Sequence, residues 1–266
     1  MPASRIARFS FMSLVGIACL AQQRGGTAHT DKVQPVNSAA NPYQVIRDWG
    51  QLTIEKRPWG GSNGVAIGPD GKSVWATDRC SAGIAPGCLG SKANPVHLFD
   101  ENGKEVRSFG AGMFVWPHGV HVDKDGNVWI SDARAPTAQE KERFPDEAKK
   151  GSVVVKFSPD GKVLMTLGKA GAASAEPGLF DEPTDVVVNQ RGEIFISEGH
   201  SGGTKGNDRI SKFDKNGKFL KSWGTTGSGP ENLHSPHALA FDSRGRLFVG
   251  DRDNNRIQIF DQDGKL

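Results

Sequence analysis

Short runs of Val, Ile, Leu, Phe and Trp alternate along the chain with polar turns rich in glycine and aspartate. No stretch sustains a 3.6-residue apolar period over a helix length, so the runs read as strands. They recur in a fixed order. Gly64-Val-Ala-Ile-Gly-Pro-Asp-Gly71 leads into Val74-Trp-Ala-Thr-Asp78, and Pro117-His-Gly-Val-His-Val-Asp-Lys-Asp-Gly126 into Val128-Trp-Ile-Ser-Asp132. Pro183-Thr-Asp-Val-Val-Val-Asn-Gln-Arg-Gly192 leads into Ile194-Phe-Ile-Ser-Glu198, and Pro236-His-Ala-Leu-Ala-Phe-Asp-Ser-Arg-Gly245 into Leu247-Phe-Val-Gly-Asp251. The Asp-Gly and Arg-Gly pairs supply the positive φ that a tight hairpin needs. Each unit continues into an aromatic strand whose phenylalanine stands four residues before a glycine: Phe99/Gly103, Phe157/Gly161, Phe213/Gly217 and Phe260/Gly264. The first three units close on a further strand ending at Gly110, Gly168 and Gly224.

Four short strands joined by turns, repeated at this scale, are the blades of a β-propeller. The sequence therefore predicts an all-β propeller across 29–266, with blades at about 62–110, 117–168, 183–224 and 236–266. Loops at 81–95, 133–150, 169–182, 199–207 and 225–235 interrupt the repeat, and the dense charges of 140–150 read as a solvated insertion. Four blades do not close a ring, and open edges invite aggregation. The chain thus reads as an incomplete version of a six-bladed protein, truncated at its C-terminus by roughly two blades. A shorter protein closing by dimerisation is the alternative. The segment 43–52 is expected to supply an outer strand to the last blade.

Charge changes the picture only through the N-terminus. Residues 1–28 read as a secretory signal, with Arg5 and Arg8 ahead of the apolar run 9–20 and small residues at Gly26 and Ala28. That run is shorter than the roughly 20 residues a membrane span needs. Cleavage removes three arginines and no acid, which takes the formal charge from +3 to zero. A neutral domain gives no electrostatic reason to expect nucleic acid or an anionic membrane as partner. A periplasmic or secreted protein is expected, with no membrane-spanning segment after cleavage. Lipid anchoring at Cys19 is a weaker alternative, because Gly16 stands where a leucine is expected. The two remaining cysteines, Cys80 and Cys88, predict one disulfide pinning the loop between them, against free thiols or a metal site.

Candidate chemistry lies at the strands that open each blade, since these line a propeller's channel. His118 and His237 hold the same position, directly after proline, in the second and fourth blades; Thr184 holds it in the third, and Ser62-Asn63 lie there in the first. In a six-bladed ring, blades two apart are related by roughly 120°. A third histidine from a sixth blade, beyond residue 266, would complete a three-imidazole catalytic zinc site. The plainer reading is that Pro-His starts a strand and the imidazole bonds to backbone.

The segments 114–132, 182–188, 235–241 and 250–260, read together, resemble the NHL-repeat propellers, and within them the peptidyl-α-hydroxyglycine α-amidating lyases (peptidylamidoglycolate lyases). The resemblance runs from about Gly64 to Phe260. It implies an axial zinc with His118 and His237 as two of three ligands. It also implies a structural calcium held by the carbonyls of Val65 and Val120, whose side-chain ligand falls outside this chain. Arg79 matches a catalytic arginine. His200, in Glu198-Gly199-His200, stands where the group has a tyrosine base, so a histidine would have to move that proton. Asp185 is expected to orient a ligand or to cap its strand. The implied activity is a metal-dependent carbon–nitrogen lyase acting on a small molecule or peptide C-terminus. The alternative is a non-catalytic propeller that binds a peptide, protein or saccharide; a lyase or hydrolase using calcium alone is a third reading. A protein partner is left open.

Overall fold

The apolar runs form strands where the repeat places them. In this computed structural model, which describes residues 40–81, 87–200 and 207–266, fifteen strands make four antiparallel sheets. The first contains β1 (Val65–Ile67), β2 (Val74–Thr77), β3 (Val96–Phe99) and β4 (Glu105–Phe109). The second contains β5 (Pro117–Val122), β6 (Val128–Asp132), β7 (Val153–Phe157) and β8 (Val163–Gly168). The third contains β9 (Pro183–Val188), β10 (Ile194–Glu198), β11 (Arg209–Phe213) and β12 (Phe219–Trp223). The fourth has three strands, β13 (Pro236–Phe241), β14 (Leu247–Asp251) and β15 (Arg256–Phe260). Within every sheet the strands pair in chain order. This is the blade topology the sequence predicts.

The repeated Phe-x3-Gly pattern has two jobs. Phe99, Phe157, Phe213 and Phe260 are each no more than 2% exposed and form the cores of their blades. Phe157 packs against Phe109 and Phe114, with ring centroids 5.1 and 6.0 Å apart, so its ring joins the first two blades. The glycine that follows makes the next turn at positive φ and lies under the outer strand of the preceding blade. A Cβ at Gly161 would sit 2.7 Å from Phe109, at Gly217 2.8 Å from Leu167, and at Gly264 2.5 Å from Trp223. Only a glycine fits both demands.

Trp49 corrects the expectation for 43–52. A Cβ at Gly103 would meet the Trp49 carbonyl oxygen at 1.9 Å, and the Trp49 ring lies 6.0 Å from Phe99. Leu52 is buried beside Phe99 and Ala76. These residues form no strand and pack on the first blade rather than the fourth. Trp49 thereby fills, over Gly103, the place that Phe109, Leu167 and Trp223 fill over the later turns. Residues 46–266 constitute one unit; the few described residues before it are exposed and lack regular structure.

The charged insertion carries one short helix, α1 (Ala138–Arg143), opened by a capping box between Thr137 and Glu140 and burying none of its residues. That agrees with a solvated insertion. Cys80 and Cys88 are disulfide-bonded, which suits an oxidising compartment. Among the described residues no helix is long and apolar enough to cross a membrane. The proposed signal, Cys19 included, lies outside the described residues.

Because Phe157 is fully buried between two blades, Phe157→Ala should cost about 3–5 kcal/mol of unfolding free energy, measured by denaturant titration. An exposed control, Val163→Ala on the edge strand β8, should change it by less than about 1 kcal/mol.

Candidate metal centre

Each of the last three blades opens with its inner strand out of step. Pro117 pairs with Asp132 and Val120 with Ile130, so His118 and Gly119 together face Ser131. Pro183 pairs with Glu198 and Asp185 with Ser197, which leaves Thr184 extra. Pro236 pairs with Asp251 and Ala238 with Gly250, which leaves His237 extra. A bulge of this kind frees one residue from the ladder and re-aims its side chain. The position after the proline is therefore special in every one of these blades, and in two of them it is histidine.

Buried carboxylates hold these bulges in place. Asp132, with no solvent exposure, accepts the backbone N–H groups of Val115 at 2.9 Å and Trp116 at 2.5 Å, immediately before Pro117. Asp251, also fully buried, accepts the His234 N–H at 2.7 Å, two residues before Pro236. Thr184 then links the two histidines. Its carbonyl accepts from Nδ1 of His118 at 2.8 Å, and its hydroxyl donates to the carbonyl of Pro236 at 2.7 Å.

A carbonyl can only accept, so the proton of His118 sits on Nδ1 and the lone pair on Nε2. That Nε2 is buried, in a side chain 4% exposed, and has no hydrogen-bond partner. Buried polar atoms are rarely left unpaired without a reason. Around it stand the rings of His237 and His200, with centroids 4.6 and 5.3 Å from His118 and 5.2 Å from each other. One ligand nitrogen from each of the three lies within 4.8 Å of the others. His200 reaches this point through Gly199, at φ 127°, where a Cβ would sit 2.3 Å from the Asp208 carboxylate. The His200 N–H donates to Glu182 Oε2 at 3.0 Å, and its carbonyl accepts from Arg252 Nη2 at 2.7 Å.

An arginine and a tryptophan close one side. The Arg79 guanidinium stacks 3.9 Å from the Trp116 ring centroid, and Trp116 meets the His200 ring edge-to-face at 4.8 Å. Arg79 Nε is buried and unpartnered, and burial lowers its pKa to about 10. Burial, reinforced by the neighbouring imidazoles and Arg79, lowers His118 to about 3. Burial lowers His200 to about 4, helped by Arg252 and Arg79, and lowers His237 to about 4, helped first by His200. All three imidazoles are thus neutral at physiological pH, the state in which imidazole ligates metal. Three neutral nitrogens around one unpartnered lone pair fit a zinc-like cation.

The structure brings together His118, His237, His200 and Arg79 from the sequence expectations. Asp185 is a correction. Its carboxylate accepts from the backbone N–H groups of Val186 and Leu239, both at 2.9 Å, and orients no histidine; the Thr184 carbonyl does that instead. Asp185 is a strut between the third and fourth blades. Val65 and Val120 lie on the inner strands β1 and β5 of neighbouring blades. Cys80 follows Arg79 directly, and its disulfide to Cys88 braces the turn that carries the guanidinium. Sequence reasoning missed Arg252 and Trp116. Arg252 follows Asp251 as Arg79 follows Asp78, so the repeat itself carried that signal. With His237 it borders an open concavity on the fourth blade.

Comparison with known proteins agrees with this architecture. An NHL repeat matches at residues 233–260. Rat peptidylglycine alpha-amidating monooxygenase is 33% identical over 179 residues, covering 64% of this chain and 16% of that protein. Human NHL repeat-containing protein 3 is 30% identical over 193 residues, covering 71% and 51%. Drosophila melanogaster peptidyl-alpha-hydroxyglycine alpha-amidating lyase 2 is 28% identical over 242 residues, covering 84% and 52%. The chain thus spans about half, or less, of the curated relatives it matches. A streptogramin B lyase structure aligns with a TM-score of 0.52 at 18% identity, over 79% of this chain and 54% of that one, a likeness of fold. The chain folds as β-propeller blades and carries an NHL repeat. Within that class it is similar, at modest identity, to the peptidyl-α-hydroxyglycine α-amidating lyases.

His121, three residues after His118 on β5, gives a pH signature. Burial lowers it to about 4, and its Nε2 accepts the Val188 N–H at 3.3 Å, which a protonated ring cannot do. Between about pH 4 and pH 6.5 the unfolded chain binds the proton that the folded chain refuses, so stability rises with pH across this window and is lost on acidification. Relative to His121→Gln, the wild-type chain should lose about 1–3 kcal/mol more between pH 6.5 and pH 4, measured by urea unfolding in chelator.

Proposed function

We propose that this propeller is a metal-dependent carbon–nitrogen lyase that cleaves a peptidyl-α-hydroxyglycine or a related hydroxylated amide to the amide and glyoxylate. The observation that carries this reading is the unpartnered Nε2 of buried His118, facing the His237 and His200 rings beside the stacked guanidinium of Arg79. The similarity to amidating lyases supports the reaction class.

His118 and His237 would hold the cation. When bound, a zinc ion supplies Lewis acidity that makes a nearby hydroxyl more acidic. The remaining demands fall on the chain's own residues. In the reaction the O–H bond is lost and the carbinol carbon becomes a carbonyl. The C–N bond breaks, and the nitrogen leaves with the electron pair and takes up a proton. Arg79 offers a planar fork for the substrate carboxylate, and its Nε has no competing partner. Trp116 covers the other face of that guanidinium and keeps water from it. Arg252, whose guanidinium donates to the His200 carbonyl, adds a second cation beside the cluster. Val65 and Val120 would lend carbonyls to a structural calcium, as the resemblance implies. Export to the periplasm or beyond is consistent with the disulfide.

The similarity to NHL repeat-containing protein 3 favours one second reading, a propeller that binds a peptide or protein without chemistry. The two readings separate in one assay. Zinc-loaded protein incubated with α-hydroxyhippurate should release glyoxylate, and Arg79→Ala should lower kcat/KM about 10- to 100-fold, mainly through KM, as expected for a lost charged hydrogen bond. Metal-loaded, folded protein that releases no glyoxylate would favour the binding reading.

A further inference from the structure

We propose that His200 is the third ligand of the axial cation, so that the three nitrogens come from the second, third and fourth blades of these residues. This rests on the metal reading above and departs from the base role that the resemblance implies for position 200. Two observations carry it.

The first is convergence. Nitrogens of His118, His200 and His237 lie within 4.8 Å of one another, and the three rings enclose the buried Nε2 of His118. Nitrogens sharing one zinc at about 2.0–2.1 Å stand roughly 3.4 Å apart, within reach of small side-chain rotations. The second is preorganisation. His200 is held by its own backbone at both ends, through Glu182 and Arg252, and is brought to the axis by a glycine conformation that a Cβ would forbid. Ligands fixed in this way lose little entropy on binding a cation.

The tertiary structure makes this possible where the repeat does not. His118 and His237 come from bulges at the start of inner strands, whereas His200 comes from the loop after β10, at the end of the second strand of its blade. The third blade has Thr184 at the bulge, and that residue binds His118 and the Pro236 carbonyl rather than a cation. The blade therefore supplies its imidazole from a different place.

The test is cobalt(II) titration of the 266-residue chain, read by visible absorption and by competition with a chelator. The wild-type chain should bind one cobalt with the intense absorption of low-coordinate cobalt. His200→Ala should weaken binding by more than about 100-fold, beyond the 10- to 100-fold cost of losing a mere supporting partner. His200→Tyr, which installs the residue that the resemblance implies, should weaken it comparably. His200→Cys keeps a donor atom and should retain binding with a red-shifted, sulfur-containing spectrum, which also controls for folding. If His200→Ala and His200→Tyr bind cobalt with the wild-type affinity and spectrum while His118→Ala does not, the metal reading stands and the ligand assignment of His200 is overturned. A folded wild-type chain that binds no cobalt overturns both.

Discussion

The structure depends on the buried carboxylate that ends, or directly follows, the second strand of each blade. Asp78, Asp132, Glu198 and Asp251 have no solvent exposure. Desolvating such groups is costly unless donors surround them, and here the donors belong to the chain that leads into the channel. Asp78 takes the N–H groups of Gly60 and Cys80, Asp132 those of Val115 and Trp116, and Asp251 that of His234. Each of these three carboxylates thus staples a lead-in loop to its own blade. Burial is strong enough to raise Asp132 to about 7 despite its two backbone donors. Glu198 is the exception. It pairs instead with Arg209, and in its blade the channel imidazole arrives by another route.

From that staple the geometry follows in steps. A fixed loop sets where the proline begins its strand, the bulge sets which residue leaves the ladder, and the neighbouring blade sets the tautomer. The last step passes through Thr184, whose carbonyl takes the Nδ1 proton of His118 and whose hydroxyl ties into the Pro236 carbonyl ahead of His237. Two imidazoles on alternate blades are thus connected by the one blade between them that lacks a histidine at this position. A merely polar channel would allow its rings to rotate. This one leaves a lone pair aimed at a chosen place.

The aromatic and cationic surroundings sharpen the site. Trp116 touches Arg79, His118 and His200 at once. Arg79 and Arg252 stand on equivalent positions of the first and fourth blades and act together on His200 and His237. The result is a cluster of neutral imidazoles beside two guanidiniums, an arrangement that keeps the imidazoles unprotonated.

Much of the fold was legible in the sequence, because a propeller's local rules repeat: Phe99, Phe157, Phe213 and Phe260 are buried, their partner glycines turn, and the strands pair in chain order. His118 and His237 were legible too, since equivalent positions in equivalent blades must face the same axis. What lay outside that logic was everything set by contact between blades. The role of Asp185 as a strut, the orientation of His118 by Thr184, the place of Trp49 over Gly103 and the arrival of His200 beside the other two rings each join residues far apart in the chain. A repeat specifies its own interior through local packing and turn chemistry. The cluster is built from residues of different blades, and only the tertiary structure brings the nitrogens of His118, His200 and His237 within 4.8 Å of one another.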